Sequence, residues 1–163
     1  MRATKVYVRP LLEYATYVWL PHYNYAIDVI EAVQRKFTER LNGCKDMECP
    51  ARLSYLRLKS LERRRLTADR ILSYRIIFGL VDVCMSDYFQ LMSSNGDRTV
   101  TGGNPFKLSV NYCRKNTRKT FFSKRVAKVW NSLPPSRPIV NFSSFATFRN
   151  SLNKISFRIC TIY

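Results

Sequence analysis

Hydrophobic positions recur at helical spacing along most of this chain. The most regular stripe advances in steps of three or four residues and consists of Ile27, Ile30, Val33, Phe37 and Leu41. This spacing predicts an amphipathic helix with Asn24 as its N-cap and with Gly43 as a left-handed residue just beyond its end. The apolar stripe should face the core, and the opposite face is polar.

The residues before this stripe predict a shorter helix. Apolar residues occupy positions 8, 11, 12, 15, 18 and 19, which is again a helical spacing. Pro10 fits the first turn of such a helix, because its missing N–H group has no intrahelical partner there. We therefore expect a helix from about Arg9 to Trp19, ended by Pro21.

Two further helices are predicted in the middle of the chain. The dipeptide Cys49-Pro50 opens a short helical segment with its leucines directed inward. Ser60 is a suitable N-cap for the longest helix, which runs from Leu61 toward Leu80. The apolar stripe of this helix widens in its second half, so that half should lie at the centre of the core.

The pattern changes after residue 92. Turn-forming residues at 93–97 and 102–105 bound two short segments, Arg98–Thr101 and Phe106–Tyr112. In the second segment apolar and polar residues alternate strictly, as they do in a half-buried strand. We predict that the two segments form a small two-stranded β element.

A compact basic helix follows. Its apolar residues fall at offsets of 0, 4, 7 and 8 and are Phe122, Val126, Val129 and Trp130. Pro134 disfavours helical backbone at the residue before it, so the helix should end near Asn131 or Ser132. We expect Lys124, Arg125 and Lys128 to lie away from the apolar face.

A last helix completes the fold class. Ser143 or Ser144 can cap a helix whose apolar residues, again at helical spacing, are Phe145, Phe148, Leu152 and Ile155. The chain has 163 residues, 46% of them apolar, which is enough for the core of one domain. We predict a mainly α protein, a helical single domain with a small two-stranded β element in its C-terminal half.

Membrane and disulfide classes are not favoured. The sequence has no apolar run long enough to cross a bilayer and no apolar core of a secretory signal, so we expect no membrane partner and a cytoplasmic or nuclear location. The scattered cysteines predict neither a disulfide framework nor a zinc site; they are Cys44, Cys49, Cys84, Cys113 and Cys160.

The distribution of charged residues along the chain is its most informative compositional feature. The formal net charge is +17, and the last 66 residues, from Arg98 to Tyr163, contain 13 Lys and Arg residues and no Asp or Glu. The first 97 residues hold the other 15 basic residues together with all 11 acidic ones. Because a field of one sign costs self-repulsion, it points to a polyanionic partner, of which nucleic acid is the leading candidate.

Residues for catalysis are sparse. The single histidine, His22, lies in a loop-like segment, where a structural role is a simpler account than general-base catalysis. The sequence has no glycine-rich phosphate loop, and Asp82 and Asp87 resemble helix-end residues more than ligands of two metal ions. We predict that the chain is not an enzyme by itself and has no catalytic residue, metal site or cofactor.

The densest basic segment is the predicted nucleic-acid interface, because Lys and Arg neutralise phosphate groups. Its seven members lie within fifteen residues and are Arg114, Lys115, Arg118, Lys119, Lys124, Arg125 and Lys128. Aromatic residues alternate with them. Phe122 and Trp130 have core spacing and predict packing, whereas Phe121 and Tyr112 are open between packing and stacking on a base.

A second basic group lies at the start of the longest predicted helix. It consists of Arg63, Arg64 and Arg65. These residues fit phosphate contact and a solvated helix face equally well, since arginine also serves structural ion pairs. They are the rival candidates for the interface.

Several blocks of the sequence, taken in order, resemble segments of one known family. The blocks are Val8–Ala15, Val18-Trp19, Ile30–Thr38, Leu53–Arg65, Phe121–Arg125, Val129–Pro134 and Phe142–Leu152. Together they resemble the region that follows the catalytic palm in reverse transcriptases of LINE-type (non-LTR, jockey-like) retrotransposons. The resemblance covers about residues 6 to 155.

The resemblance implies a binding role without catalysis. The polymerase motif of this family, an aromatic residue followed by any residue and two aspartates, is absent from the sequence. The thumb and C-terminal region of the family is expected to grip template and primer. The implied partners are RNA, DNA or an RNA/DNA hybrid, and a reverse transcriptase palm domain. The implied regions are a thumb-like helical region (1–92), a loop and β-hairpin with a basic connector (93–120) and basic C-terminal helices (121–163).

Two other functional interpretations stay open. The chain would be a degenerate transposon remnant without retained function if it no longer binds nucleic acid. Alternatively, it would be a helical protein-interaction module in which the stripe from Ile27 to Leu41 receives a partner in place of the palm domain.

Overall fold

The computed structural model describes residues 4–19, 21, 23–92, 106–133 and 140–154, and this part of the chain is mainly helical, as predicted. A π-helical turn spans Thr4–Val8. The α-helices are α1 (Arg9–Glu13), α2 (Thr16–Trp19), α3 (Asn24–Glu39), α4 (Cys49–Tyr55), α5 (Leu61–Ile77), α6 (Met85–Tyr88), α7 (Asn116–Lys119), α8 (Phe122–Asn131) and α9 (Phe145–Lys154). The chain forms two compact units, Met1–Leu66 and Thr67–Tyr163, so α5 contributes residues to both.

The first helical segment of the first unit is broken, and the prediction of one helix from Arg9 to Trp19 was wrong. Tyr14 has extended backbone after α1, and Ala15 adopts a left-handed conformation with φ of 49°. The break allows α2 to turn so that Thr16, with 2% of its surface exposed, is buried. Pro10 does lie in the first turn of α1, as expected.

Helix α3 begins at Asn24, one residue earlier than predicted. Tyr23 is the N-cap and makes no side-chain capping bond, so the prediction of Asn24 as N-cap was wrong. Gly43 is left-handed, with φ of 77°, as expected. The fully buried side chains of α3 are polar, Gln34 and Thr38, while the predicted apolar stripe is half-buried apart from Val33, which is 40% exposed.

The start of α5 is capped from two directions. The Ser60 hydroxyl accepts a hydrogen bond from the Arg63 N–H group at 3.2 Å, which confirms Ser60 as the N-cap. The Glu31 carboxylate of α3 accepts a hydrogen bond from the Glu62 N–H group at 2.6 Å. Because both acceptors satisfy N–H groups that lack intrahelical partners, the cap also joins α3 to α5.

The second half of α5 lies in the core of the second unit, as its wider apolar stripe predicted. Tyr74 is 3% exposed, and its hydroxyl donates a hydrogen bond to the Phe142 carbonyl at 3.0 Å. Neighbouring rings are 4.3 to 5.7 Å apart between centroids in a cluster of Tyr74, Phe78, Phe106, Trp130, Phe142 and Phe148. Gly79, with φ of 64°, ends the helix in the left-handed conformation.

The predicted strand at Phe106–Tyr112 contributes only an isolated antiparallel bridge between Leu91 and Leu108, so the strand prediction was wrong for this segment. Its partner segment, Arg98–Thr101, lies outside the described residues. Backbone hydrogen bonds join the segment Phe106–Tyr112 to residues 90–92 on one side, from the Met92 N–H to the Lys107 carbonyl at 2.9 Å and from the Ser109 N–H to the Gln90 carbonyl at 2.7 Å. On its other side the Asn131 amide accepts from the Leu108 N–H and donates to the Leu108 carbonyl, both at 2.8 Å.

The last two helices form where they were predicted, although Ile155, the last apolar residue of the predicted stripe, lies outside the described residues. Helix α8 ends at Asn131, and its predicted core residues Phe122 and Trp130 are buried. Helix α9 is capped by Ser144, whose hydroxyl accepts a hydrogen bond from the Thr147 N–H at 3.3 Å. Among the helices that the structure describes, none combines the length and apolar character needed to cross a bilayer.

Candidate nucleic-acid interface

The predicted basic residues divide between exposed and buried positions of the second unit. Five are exposed in the structure: Arg114, Lys115, Arg118, Lys119 and Lys128. The first four lie before or within α7, a helix of 4 residues joined to α8 by the turn Thr120-Phe121. The Thr120 hydroxyl donates a hydrogen bond to the Thr117 carbonyl at 2.9 Å, which closes this turn. The basic connector therefore lies along the surface of the unit.

Arg125 has a different position from the other members of the set. The sequence placed it on the outward face of α8, but its side chain is 6% exposed and forms an ion pair with Asp69 of α5. Its Nε donates to one Asp69 carboxylate oxygen at 3.1 Å, and an Nη donates to the other at 3.2 Å. A guanidinium group that is already paired and buried has no surface to offer a phosphate, so the outward placement of Arg125 was wrong.

Arg125 also supports the turn that presents the basic connector. Its second Nη donates to the Thr120 carbonyl at 3.1 Å, and its guanidinium carbon lies 5.6 Å from the centroid of the Phe122 ring. Burial raises the pKa of the Asp69 carboxyl, and the hydrogen bond from Arg125 opposes that shift. The pair therefore anchors the start of α8 to α5 at the cost of desolvating two charges.

Lys124 and the aromatic residues complete this surface. Lys124 is half-buried, whereas Phe121 is 60% exposed and Tyr112 is 88% exposed. Phe122, the next residue after Phe121, is only 6% exposed, because the extended backbone at Phe121 sends successive side chains to opposite sides. The structure thus leaves Phe121 and Tyr112 outside the core, and it places Trp130 inside.

The rival arginine group belongs to the first unit and is largely committed to contacts within it. Arg65 is 2% exposed, and its Nη lies 3.9 Å from a carboxylate oxygen of Glu31. The Arg64 guanidinium forms a two-pronged ion pair with Glu13, in which Nη donates at 2.8 Å. Arg63 is half-buried. Two of these three arginines therefore link α5 to neighbouring helices.

The local field around the arginine group is still positive. Burial lowers the pKa of Lys59, and the nearby charges of Arg63 and Arg64 lower it further. Burial likewise lowers the pKa of Arg9, and Arg64 adds to that effect while Glu13 opposes it. These cations repel one another, and Glu13 offsets part of their charge.

Sequence reasoning missed the carboxylate that holds Arg125. Asp69 is separated from Arg125 by 56 residues, so no local pattern joins them. A signal for Arg125 was present, however, because position 125 lies three residues after Phe122 and four before Val129. Those offsets belong to the buried face of a helix, and they predict a buried guanidinium that requires an acidic partner.

In the described ranges no three His, Cys, Asp or Glu side chains lie close enough together to hold a metal ion. The cysteines at 44, 49, 84 and 113 are free thiols, and Cys160 lies outside the described residues. Comparison with family models, curated proteins and solved structures found no match for this chain.

Proposed function

We propose that this chain binds nucleic acid through phosphate contacts, as the C-terminal thumb and post-thumb region of a LINE-type reverse transcriptase that is non-catalytic by itself. The observation that carries the proposal is the charge of the last 66 residues, which hold 13 basic residues and no acidic one. Within that stretch the connector from Arg114 to Lys119 exposes four basic side chains. RNA, DNA and their hybrid share the phosphate backbone that such a surface recognises.

The pairing of charges favours an interface on the second unit over one on the first unit. Asp69, one of its carboxylates, is neutralised internally by Arg125. The first unit pairs Arg64 with Glu13 and Arg65 with Glu31, so its arginines have intramolecular partners. Nothing in the spacing of the connector resembles a groove-reading motif, so we expect affinity without base-pair readout. The cytoplasm and the nucleus are the compartments in which such a partner is available.

The salt dependence of binding tests this proposal. Labelled 20-nucleotide single-stranded DNA, RNA and duplex DNA are titrated with the chain at several salt concentrations, and anisotropy is measured. If about five basic groups contact phosphates, log K against log salt has a slope of about −3.5 on single strands and about −4.5 on duplex DNA. A chain that binds none of these probes at low salt would refute the proposal and favour a remnant without retained function.

A charge-matched pair of variants locates the surface. The interface variant replaces Arg114, Lys115, Arg118 and Lys119 with Gln, and the control variant replaces Arg35, Lys36, Arg40 and Lys45, which are also exposed, with Gln. Both variants lose two arginines and two lysines. Only the interface variant should flatten the salt slope, by about 2.8 on single strands. Equal losses in both variants would mean that net charge alone drives binding.

The rival site needs a separate variant. Arg63→Gln removes a half-buried cation of the first unit without breaking the pairs of Arg64 or Arg65. We expect it to leave binding unchanged. Loss of binding at an unchanged melting temperature would move the interface to the first unit and refute the connector assignment.

Exposed apolar residues in the first unit favour the protein-interaction module as a second candidate function. Tyr25 is 70% exposed, Val29 is 65% exposed and Val33 is 40% exposed, at spacings of four residues along α3. A reverse transcriptase palm domain is the partner that the family resemblance suggests. Retention of a purified palm domain on the immobilised chain, reduced by Val29→Gln, would support this function.

A further inference from the structure

A cleft of about 590 Å³ lies in the second unit beside the start of α8. Its walls come from α6 and from the segments around Gln90 and Asn111. The remaining wall is formed by α7, by the turn Thr120-Phe121 and by the first turn of α8. This volume is within the range of about 300 to 1,000 Å³ that is typical of small-molecule pockets. It would hold a single nucleotide but not a duplex.

The cleft combines three kinds of group. Arg118 and Lys124 supply positive charge, Phe121 supplies an exposed aromatic ring, and Gln90 and Asn111 supply side-chain amides. These are the groups that a nucleotide requires, since cations bind its phosphate, an aromatic ring stacks on its base and amides hydrogen-bond to base edges. Asp87 also lines the cleft and repels phosphate, so the phosphate belongs with Arg118 and Lys124.

The backbone at this position is held before any ligand binds. Arg125 donates to the Thr120 carbonyl, and Asp69 holds the same guanidinium through both of its carboxylate oxygens. The turn that carries Phe121 is therefore attached to the core by buried charge-assisted hydrogen bonds. A preformed wall reduces the ordering cost of binding, which otherwise weakens sites built on surface turns.

We infer that this cleft binds one unstacked nucleotide of a single-stranded nucleic acid, with Phe121 stacked on the base and with Arg118 and Lys124 on the phosphate. The inference rests on the proposed function and adds to it a defined position for a base. Single strands are favoured over duplexes, because a base must leave its stack before it can contact the ring. The amides of Gln90 and Asn111 can donate and accept, so they tolerate different bases.

The test compares two strands that carry the same phosphates. The probes are a fluorescein-labelled 12-nucleotide oligothymidylate and a strand of equal length with abasic positions throughout. The unmodified protein should bind the oligothymidylate about tenfold more tightly, because stacking on an aromatic ring is worth about 1–3 kcal/mol per base. This comparison needs no protein variant, so it does not depend on whether a variant folds.

Substitutions then locate the ring. Phe121→Leu should reduce oligothymidylate binding about tenfold and leave abasic-strand binding unchanged, while Phe121→Tyr should retain both. Tyr55→Leu is the control, because Tyr55 is 67% exposed but lies in the first unit. It should change neither affinity. Tyr112→Leu tests the other exposed ring of the second unit, which does not line the cleft. The melting temperature of each variant is measured alongside.

The outcomes separate the inference from the proposed function. Equal binding of the two strands, or an equal effect of Phe121→Leu on both, would overturn the cleft assignment and leave phosphate binding by the connector intact. Preferential binding of oligothymidylate that is lost with Tyr112→Leu but kept with Phe121→Leu would also overturn it. Failure of the protein to bind either strand would refute the proposed function and the inference together.

Discussion

Arg125 and Asp69 form a buried ion pair in which two guanidinium nitrogens bond separately to the two carboxylate oxygens, at 3.1 and 3.2 Å. The side chains are 6% and 4% exposed, so both charges are removed from water. Such a pair is costly to form and more costly to break from one side, because the remaining charge is left buried. The same guanidinium bonds to the Thr120 carbonyl and so connects the core to the proposed interface.

We expect Asp69→Ala to lower the free energy of unfolding by about 3–5 kcal/mol, because it leaves the Arg125 charge buried without its acidic partner. The double variant Asp69→Ala, Arg125→Met removes both charges and should be less destabilised than the sum of the single variants Asp69→Ala and Arg125→Met. Urea denaturation measures these free energies. Asp82→Ala is the control, because Asp82 is exposed in the same unit. Additive effects of the two single substitutions would show that the ion pair contributes no coupling.

Arg52 is the corresponding buried cation of the first unit. It is 3% exposed, and its guanidinium donates to the Thr38 hydroxyl at 3.1 Å and to the Met47 carbonyl at 3.0 Å. Arg52→Met keeps much of the apolar length but removes the donors, and we expect it to cost about 1.5–3 kcal/mol of unfolding free energy. Arg52→Lys should also destabilise the unit, because one ammonium group lacks the planar fork of the guanidinium.

The control for Arg52 is Arg40→Met, because Arg40 lies on the surface of the same unit. Thermal unfolding followed by circular dichroism measures both variants. If Arg52→Met melts no lower than Arg40→Met, then the hydrogen bonds of Arg52 do not stabilise the fold.

Glu62 provides a pH-dependent prediction. Burial raises the pKa of the Glu62 carboxyl, and the neighbouring charge of Glu31 raises it further, while Arg65 opposes them. Because the folded-state pKa lies above the unfolded value, the folded state binds the proton more tightly. The contribution of Glu62 to stability is therefore greatest below the unfolded pKa and is lost as pH rises through the folded pKa.

Glu62→Gln should accordingly raise the melting temperature at pH 7, with the difference from the unmodified chain disappearing below about pH 4, near the ordinary glutamate pKa. Glu48→Gln is the control, because Glu48 is exposed in the same unit. A lower melting temperature for Glu62→Gln at pH 7 would mean that attraction between the ionised carboxylate and the start of α5 outweighs its burial.

The hydrophobic pattern predicted the helices well where a stripe and a stop signal coincide. Helix α8 ends at Asn131, as predicted from Pro134, which disfavours helical backbone at the residue before it, and both the stripe and the proline are local features. The strand at Phe106–Tyr112 failed for the opposite reason. Alternation requires a neighbouring strand, but in the described part of the chain this segment pairs only with residues 90–92, through one bridge, and Asn131, 23 residues later, bonds to the other side of Leu108.

Part of the candidate site likewise could not be predicted from local sequence patterns. The close spacing of basic residues along the sequence identified the connector residues, such as Arg114 and Arg118. Their exposure depends little on distant parts of the chain. Arg125 was misplaced because its position depends on Asp69, which is 56 residues away in sequence. Similarly, Arg64 and Arg65 are committed to Glu13 and Glu31 by packing between helices, which a run of three arginines does not reveal.

The exposed apolar side of α3 gives the last prediction. Tyr25, Val29 and Val33 recur every four residues on one helix face and are 70%, 65% and 40% exposed. Exposed apolar surface that has no partner promotes association and binds apolar dyes. We therefore expect the unmodified chain to associate at micromolar concentrations and to enhance the fluorescence of such a dye.

Replacing these three residues with Gln should reduce both effects without lowering the melting temperature, because Gln has a higher helix propensity than Tyr or Val. Sedimentation velocity across a concentration series measures the association. The control replaces Asn24, Arg35 and Lys36, which are exposed polar residues of the same helix, with Gln and should leave both effects unchanged. If the unmodified chain is a monomer that binds no dye, this face is not an association surface, and the protein-interaction module loses the observation that favours it.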